Sequence, residues 1–284
     1  MHTRKWLPLL FMILLAGCGG GGQNVNLGGG DAAPGRAGDG TVNWVDDADH
    51  VVFRIDVVGG DEDFESKNDV PLCTIYGNNR IVWQGSSQPG STVVLFSFLE
   101  PNTVRDYILT LFTEQGLNEY ESLADTQPPG EVRPVYEQIE VNVNGNNYVT
   151  DAFANWPPDL FLEVLESCRN LSSQPVLFEP AGGWLSATYA EYDPEATVIQ
   201  WNAAATGIDL VELAELGAEL WLDNDVLPFL WNAMTNSPRN RIFQQGDTYF
   251  YVGFQVPNVH RDAPPAPTTE ELPAARRLNN LDEE

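Results

Sequence analysis

A run of acidic side chains between residues 61 and 69 is the best candidate for a metal site. Its carboxylates recur at nearly alternate positions, and a ring of oxygens is what a hard cation such as Ca²⁺ prefers. The glycine that bends a known calcium-binding loop is absent, and Ser66 and Lys67 stand there instead. The sequence allows calcium binding but favours an exposed acidic loop. The candidate ligands are Asp61, Asp63, Glu65 and Asp69.

Other carboxylates could serve in acid–base hydrolysis of a polysaccharide, which uses two acids roughly 5 to 9 Å apart. Glu163 with Glu166, and Asp209 with Glu212, stand at helical spacing, but on faces that the pattern turns to water. Aromatic residues could line a sugar groove, although they more often fill the core between sheet and helix. The candidate aromatic residues are Trp156, Trp184, Tyr189 and Trp201.

Histidine is too scarce for most catalytic or metal sites. Apart from the N-terminal segment only His50 and His260 are present, and we expect His260 at the start of a tail. A zinc or copper centre of several histidines is therefore excluded. The nucleophile motifs of serine hydrolases, the zinc-protease motif and the phosphate-binding loop are also missing. The sequence predicts no catalytic residue and no cofactor other than the calcium alternative.

Two cysteines of the predicted globular part could form a disulfide. Cys73 lies in a strand-like run and Cys168 on the inward face of a helix-like run, so they could meet. They could equally be two small buried thiols.

The elements that position these residues begin with strand-like runs and a helix. Residues 77–79 separate two of the runs as a hairpin turn would, and apolar residues repeat on one helical face from Pro101 to Gly116. Asn144-Gly145 makes a second hairpin, followed by an amphipathic helix that begins near Pro157. This repetition predicts a duplicated ββα theme.

We therefore predict an α+β fold of antiparallel sheets, built from hairpins that are each followed by an amphipathic helix. Residues 41–175 would form a first α+β lobe, and residues 176–260 a second α+β lobe or a continuation of the sheet. Residues 261–284 are rich in Pro, Ala, Glu and Arg and predict a disordered acidic tail.

The chain is strongly acidic, with 41 acidic residues against 14 lysines and arginines and a formal net charge of −27. Such a surface repels nucleic acid. The acids are spread along the chain, which favours adaptation to a saline exterior over a binding surface for cations or basic partners. Both interpretations stay open.

The N-terminus has the pattern of a secretory signal. Arg4 and Lys5 precede an apolar stretch that is too short to span a membrane. This stretch ends in Leu15-Ala16-Gly17-Cys18, which resembles the lipobox of bacterial lipoprotein precursors. The resemblance implies that residues 1–17 are cleaved as a signal peptide and that Cys18 carries acyl chains such as palmitate, which anchor the protein to a membrane.

The segment behind the cysteine is suited to a tether. Residues 18–40 are rich in Gly, Asn and Ala, and such a flexible chain would reach roughly 25 Å. Residue 19 is Gly, whereas Asp at that position favours retention in the inner membrane in the Gram-negative lipoproteins that this chain resembles. The resemblance therefore implies the outer membrane.

The body is similar to a group of bacterial lipoproteins that carry a Tyr-Gly-x-x-Arg-Ile/Val hairpin. Here the motif is Tyr76-Gly77-Asn78-Asn79-Arg80-Ile81-Val82, and the similarity would extend over residues 50–257, with Trp221, Trp231 and Tyr251-Val252 in comparable places. In that group an Asp-Gly pair usually makes the turn that Asn78-Asn79 makes here. The resemblance implies no activity.

The missing nucleophiles and metal ligands favour a binding or interaction module in the cell envelope over an enzyme. Its partners would be the membrane, through Cys18, and an envelope protein or glycan. The alternative is an acid–base enzyme that acts on an envelope or extracellular polysaccharide. An enzyme should show an aromatic-lined cleft with two facing acids, and a binding module a flat or convex apolar patch.

Overall fold

A computed structural model of the chain describes residues 36–38, 41–60, 64–85, 92–127 and 133–277. The strands are β1 (Arg36–Gly38), β2 (Asn43–Val45), β3 (Val51–Gly59), β4 (Cys73–Tyr76), β5 (Arg80–Gly85), β6 (Val93–Phe98), β7 (Val135–Val143), β8 (Asn146–Asp151), β9 (Val176–Leu177), β10 (Gly183–Ala190), β11 (Thr197–Gln200), β12 (Leu220–Leu222), β13 (Arg241–Gln245) and β14 (Thr248–Gln255). The helices are α1 (Pro101–Thr113), α2 (Leu160–Arg169), α3 (Ala203–Thr206), α4 (Leu210–Leu216), α5 (Leu227–Asn236) and α6 (Leu272–Ala275). The predicted signal peptide and Cys18 lie outside the described residues.

Seven strands form an antiparallel sheet in the order β8-β7-β3-β4-β5-β6-β9. Both predicted hairpins belong to it. Asn79 has a φ of 62° in the first turn, and Asn144 and Gly145 have φ values of 54° and 74° in the second. Asn and Gly tolerate this left-handed backbone, which explains why they mark the two turns in the sequence.

Helices α1 and α2 cover one face of this first sheet. Val104, Ile108 and Leu111 of α1 are buried, as are Leu160, Val164 and Cys168 of α2. These side chains pack in one core with alternate strand residues such as Ile55, Ile75 and Ile139. The two predicted strand-and-helix units are therefore present, and they share a single sheet and a single core. The chain has the predicted α+β fold.

The strands from Gly183 onward form a separate sheet and do not continue the first one. Its order is β11-β13-β14-β10-β12. All of its pairs are antiparallel except β11 with β13, which is parallel and was not predicted. Helices α4 and α5 bury Leu213 and Leu230 in the core beside this sheet.

The two sheets share this second core, so the division at residue 175 is not a clean boundary. Tyr76, Val82 and Val94 of the first sheet pack in the same cluster as Phe243 and Phe254 of the second. All four residues of β4 are consequently buried, because helices lie on one side of the strand and the second core on the other. Strand β9, at the predicted start of the second lobe, belongs to the first sheet.

Residues 261–277, predicted as part of a disordered tail, lie against both sheets. Arg261 forms an ion pair with Asp56 of β3, the Trp184 indole donates a hydrogen bond to the Pro265 carbonyl at 3.0 Å, and Arg276 pairs with Asp223. The prediction of disorder was wrong here, because the segment has few bulky residues of its own and gains its contacts from distant strands. Residues 278–284 lie outside the described residues.

The predicted tether also ends earlier than expected. Residues Arg36–Gly38 pair antiparallel with Asn43–Val45, so the end of the predicted flexible segment is a strand. A strand edge offers unpaired backbone groups to any extended chain, whatever its side chains. Composition alone therefore could not reveal this pairing.

Gly77 lies where two chain segments meet at backbone distance, and its replacement should be costly. A Cβ at this position would lie 1.9 Å from the Val45 carbonyl oxygen, and the Gly77 carbonyl accepts a hydrogen bond from the Trp44 indole at 3.0 Å. We expect Gly77→Ala to lower the free energy of unfolding by about 2 kcal/mol through overpacking, measured by urea denaturation.

Gly145→Ala is the matched control for this substitution. Gly145 has a positive φ but no heavy atom within 4 Å of an added Cβ, so that variant should lose only about 1 kcal/mol from backbone strain. Equal losses in the two variants would contradict the close approach at Gly77.

Candidate functional site

The acidic run has structural contacts where the structure describes it. Asp61 and Asp63 lie outside the described residues, whereas Glu65 belongs to the 3-10 helix Phe64–Asn68, which Asp69 follows. Asp69 forms an ion pair with Arg239, so one predicted calcium ligand already faces a cation. Across the described ranges, no group of three or more His, Cys, Asp or Glu side chains could hold a metal ion.

The predicted carboxylate pairs lie on helix surfaces. Glu163 and Glu166 are exposed on α2. Asp209 caps α4, where its Oδ1 accepts hydrogen bonds from the Val211 amide at 2.8 Å and from the Gln245 side chain at 2.7 Å. These bonds hold the pKa of Asp209 below its usual range, the Gln245 bond most of all. Capping explains this carboxylate without any catalytic role.

The four candidate aromatic residues do not share a groove. Trp201 is buried, and its indole donates to the Ile208 carbonyl at 2.9 Å. Trp156 stacks on Phe161 over α2, whereas Trp184 packs against Trp221 on the second sheet. Tyr189 is 49% exposed and lies against Phe250.

The structure joins Cys73 of β4 and Cys168 of α2 in a disulfide, with their Cα atoms 6.5 Å apart. Both residues are fully buried in the first core. Of the two alternatives that the sequence left open, the structure shows the bridge.

The two histidines differ in environment. His50 lines a shallow hollow of about 200 Å³ beside Trp44 and the β7–β8 turn. His260, expected at the start of a tail, is buried, and its Nδ1 accepts a hydrogen bond from the Val256 amide at 2.8 Å. This prediction was wrong because the chain stays packed after β14, where Val256 and Val259 belong to the second core.

A cleft of about 480 Å³ opens between the two sheets. This volume is typical of a site for a small ligand. Its lining comes from β3, β5, β6 and the start of β7, from the chain before β4, from the end of α5, and from residues 237–239, 241, 260 and 261. Among the described residues that line it, none is Phe, Tyr or Trp. The charged lining residues are Asp56, Glu65, Asp69, Arg239, Arg241 and Arg261.

Two of the three arginines are paired with carboxylates of the cleft. The Arg261 Nε donates to Asp56 Oδ2 at 2.7 Å, and its Nη2 donates to the Val57 carbonyl at 2.9 Å. Burial raises the pKa of Asp56 above its usual range, and Arg261 opposes this shift. Arg239 pairs with Asp69 at the mouth of the cleft, with 80% of its side chain exposed.

Arg241, the first residue of β13, is only 6% exposed. Its Nη1 donates to the Pro238 carbonyl at 3.1 Å and to the Ser237 carbonyl at 3.4 Å. Burial lowers its pKa, while the charges of Glu65 and Asp69 act in the opposite direction. A buried guanidinium is costly to desolvate, so this side chain distinguishes the cleft from an ordinary solvated groove.

Sequence reasoning missed this site because its residues come from distant parts of the chain. One signal was present: lysines and arginines are scarce, and Arg239 and Arg241 stand two residues apart in Ser-Pro-Arg-Asn-Arg, with Arg261 soon after. In an acidic chain, such a local group of cations indicates a specific charge partner.

His260 should make the stability of the protein depend on pH. Burial lowers its pKa to about 4, below the value near 6.5 in an unfolded chain. The folded state thus binds fewer protons between these two values, so the contribution of His260 is complete above pH 6.5 and is lost as the pH falls toward 4. We expect a loss of about 2 kcal/mol between pH 7 and pH 5.

The measurement is urea denaturation of wild type and His260→Gln at pH 7 and pH 5. The Gln carbonyl can accept the Val256 hydrogen bond but does not titrate, so the variant should lack this part of the pH dependence. Parallel losses in the two proteins would show that His260 does not titrate on unfolding.

Comparisons of the chain with protein-family models, curated proteins and solved structures find no match. None of the helices in the described ranges is both long and apolar enough to cross a bilayer.

Proposed function

We propose that this chain is a lipid-anchored protein of the bacterial cell envelope that binds a small ligand in the cleft between its two sheets. The cleft itself carries the proposal, because it combines a ligand-sized volume with a buried arginine. Ligand sites are typically concave, with convergent polar groups, and they often lie between two packed units.

The anchor rests on the N-terminal sequence. Leu15-Ala16-Gly17-Cys18 follows a short apolar stretch behind two basic residues, which is the pattern of a lipidated secretory precursor. Acyl chains on Cys18 would hold the body to the membrane, and Gly19 favours the outer membrane. An envelope protein or glycan is the proposed macromolecular partner, whereas the charge of −27 disfavours nucleic acid.

The cleft does not favour the alternative of a polysaccharide hydrolase. Such an enzyme needs an acid and a base with separated pKa values facing the substrate. Here Asp56 and Asp69 are each paired with an arginine, and the lining has no aromatic platform among its described residues. Ligand binding without chemistry is therefore the better-supported function.

No cofactor is proposed for the cleft. Calcium bound at Asp61, Asp63, Glu65 and Asp69 remains the alternative. Thermal melts distinguish a protein that binds calcium from one that does not. Calcium binding predicts a higher melting temperature in millimolar CaCl₂ than in NaCl of equal ionic strength, and equal shifts would exclude it.

The anchor and the ligand site are tested separately in the native cells. Metabolic labelling with an alkynyl palmitate should mark wild type but not Cys18→Ser, and equal labelling would overturn lipidation at Cys18.

Protein crosslinked in its own envelope, at the salt concentration of its habitat, should retain small molecules that mass spectrometry identifies.

Thr235→Phe is the variant that tests the cleft as the ligand site. Thr235 lines the cleft, and its hydroxyl donates a hydrogen bond to the Trp231 carbonyl of its own helix at 2.8 Å, so a larger side chain should narrow the cleft while α5 stays folded. We expect the retained molecules to be lost in Thr235→Phe. Identical sets from the two proteins would overturn the cleft as the ligand site.

A further inference from the structure

We propose that the cleft binds an amphiphilic organic acid, whose single carboxylate is held by Arg241 and whose carbon chain lies on the apolar part of the lining. This inference rests on the proposed function, which makes the cleft a ligand site, and it adds the chemical class of the ligand.

Arg241 has hydrogen-bond donors that the protein does not use. Its hydrogen bonds run from Nη1 to the Ser237 and Pro238 carbonyls. Within the described part of the chain, Nε and Nη2 make no hydrogen bond, and no carboxylate forms an ion pair with Arg241. Neither atom is sealed away from solvent, and the residue lines the cleft. Arg241 therefore has unused donor capacity at the wall of the cleft.

The two unused donors have the geometry that a carboxylate requires. Nε and Nη2 lie on the same edge of the planar guanidinium, and two parallel N–H groups bind the two oxygens of a carboxylate together. The bonds from Nη1 to the backbone fix the plane of the group before a ligand arrives. Preorganisation of this kind lowers the entropic cost of binding.

The charges around Arg241 favour a ligand with one negative charge. Asp56 and Asp69 neutralise Arg261 and Arg239, and Glu65 also lines the cleft near Arg241. Three arginines and three acids leave little net charge in the cleft, inside a chain of charge −27. Such nearly neutral surroundings do little to compensate the desolvation of a phosphate dianion, which costs more than that of a monocarboxylate, and the overall negative charge of the chain repels the dianion more strongly.

One part of the cleft lining can contact a carbon chain. Val57, Val70, Leu72, Val94 and Met234 contribute to its lining. A carboxylate alone would leave most of the 480 Å³ unfilled, and apolar groups on a ligand gain free energy by covering apolar side chains. An inorganic anion could not make these contacts.

The test is calorimetric titration of the full chain, carrying Cys18→Ser to prevent lipidation, with octanoate, octanamide and inorganic phosphate at constant ionic strength. Octanamide has the same carbon skeleton without the charge. We expect octanoate to bind at least tenfold more tightly than octanamide, and phosphate to bind more weakly than octanoate. Arg241→Lys keeps the charge but removes the paired donors, so it should weaken octanoate binding about tenfold.

Arg105→Lys is the matched control, because Arg105 lies on α1 beside Asp106 and away from the cleft. It should bind octanoate as wild type does.

Equal affinity for octanoate and octanamide would overturn the carboxylate inference. If neither octanoate nor octanamide binds to Thr235→Phe in that case, the cleft remains the ligand site. Phosphate binding tighter than octanoate, unchanged octanoate binding in Arg241→Lys, or no binding of either eight-carbon probe would also overturn the inference. The envelope retention experiment judges the proposed function independently of these outcomes.

Discussion

Replacing Cys73 and Cys168 with alanine should lower the free energy of unfolding by about 4 kcal/mol, the largest effect that we expect from any local change. The disulfide joins residues 95 positions apart, and closing a loop of this size removes loop-closure entropy from the unfolded chain. It also fastens α2 to β4, the strand that is buried on both sides. Without it, α2 would be held to the sheet by packing alone.

Urea denaturation of the wild type, with and without reductant, measures this effect, and the alanine pair serves as the control because reductant should not change it. Alkylation followed by mass spectrometry gives an independent result. Cys18→Ser is introduced into the protein for this measurement, so that only Cys73 and Cys168 can react. Two alkyl groups should then be added to the unfolded protein only after reduction. Alkylation of these cysteines without reduction, or identical unfolding with and without reductant, would contradict the bridge.

The parts of the fold that the sequence predicted are those with local causes. Asn144 and Gly145 mark a turn because their own backbone must be left-handed there. The helical face of Val104, Ile108 and Leu111 follows from a period that can be counted in the sequence. Neither feature depends on what a distant segment does.

The acidic run shows how distant contacts change the meaning of a local pattern. Its spacing suggested a ring of ligands, but the Asn68 side chain binds the backbone of β14. It donates to the Val252 carbonyl at 3.1 Å and accepts from the Phe254 amide at 2.7 Å. Asp69 meets Arg239, which lies 170 positions away. The described part of the run therefore joins the first sheet to the second. Nothing in the spacing of the acids could indicate these partners.

The Tyr-Gly-x-x-Arg hairpin likewise has a packing role in this chain. The Arg80 guanidinium lies 4.7 Å from the centre of the Tyr76 ring, and its Nη2 donates to the Asn258 carbonyl at 2.9 Å. Gly77 meanwhile admits the backbone at Val45. The motif thus brings the N-terminal strands, the first sheet and the end of the second together. A resemblance based on it concerns architecture and carries no chemistry.

Substitution of Arg261 should be the second most damaging change, because it leaves the Asp56 carboxylate buried without a cation. Asp56 retains 6% exposure of its side chain and Arg261 19%. Removing one partner of a buried pair costs more than the pair contributes, so we expect Arg261→Gln to lose about 3 kcal/mol at pH 7. Asp56→Asn combined with Arg261→Gln removes both charges and should be more stable than the single Arg261 variant.

The pH dependence of this loss distinguishes a buried charge from lost packing. An acid whose folded pKa is raised binds more protons when folded, so its burial cost disappears as the pH falls through that pKa. Without Arg261 the pKa of Asp56 should rise further, because Arg261 is the main group that lowers it. The difference in free energy of unfolding between wild type and Arg261→Gln should therefore be smaller at pH 5 than at pH 7. His260 is present in both proteins, so its contribution cancels in this difference. A deficit that stays constant with pH would mean that Arg261 acts by fastening residues 261–277 to the sheets, and that the charge of Asp56 is not the cause.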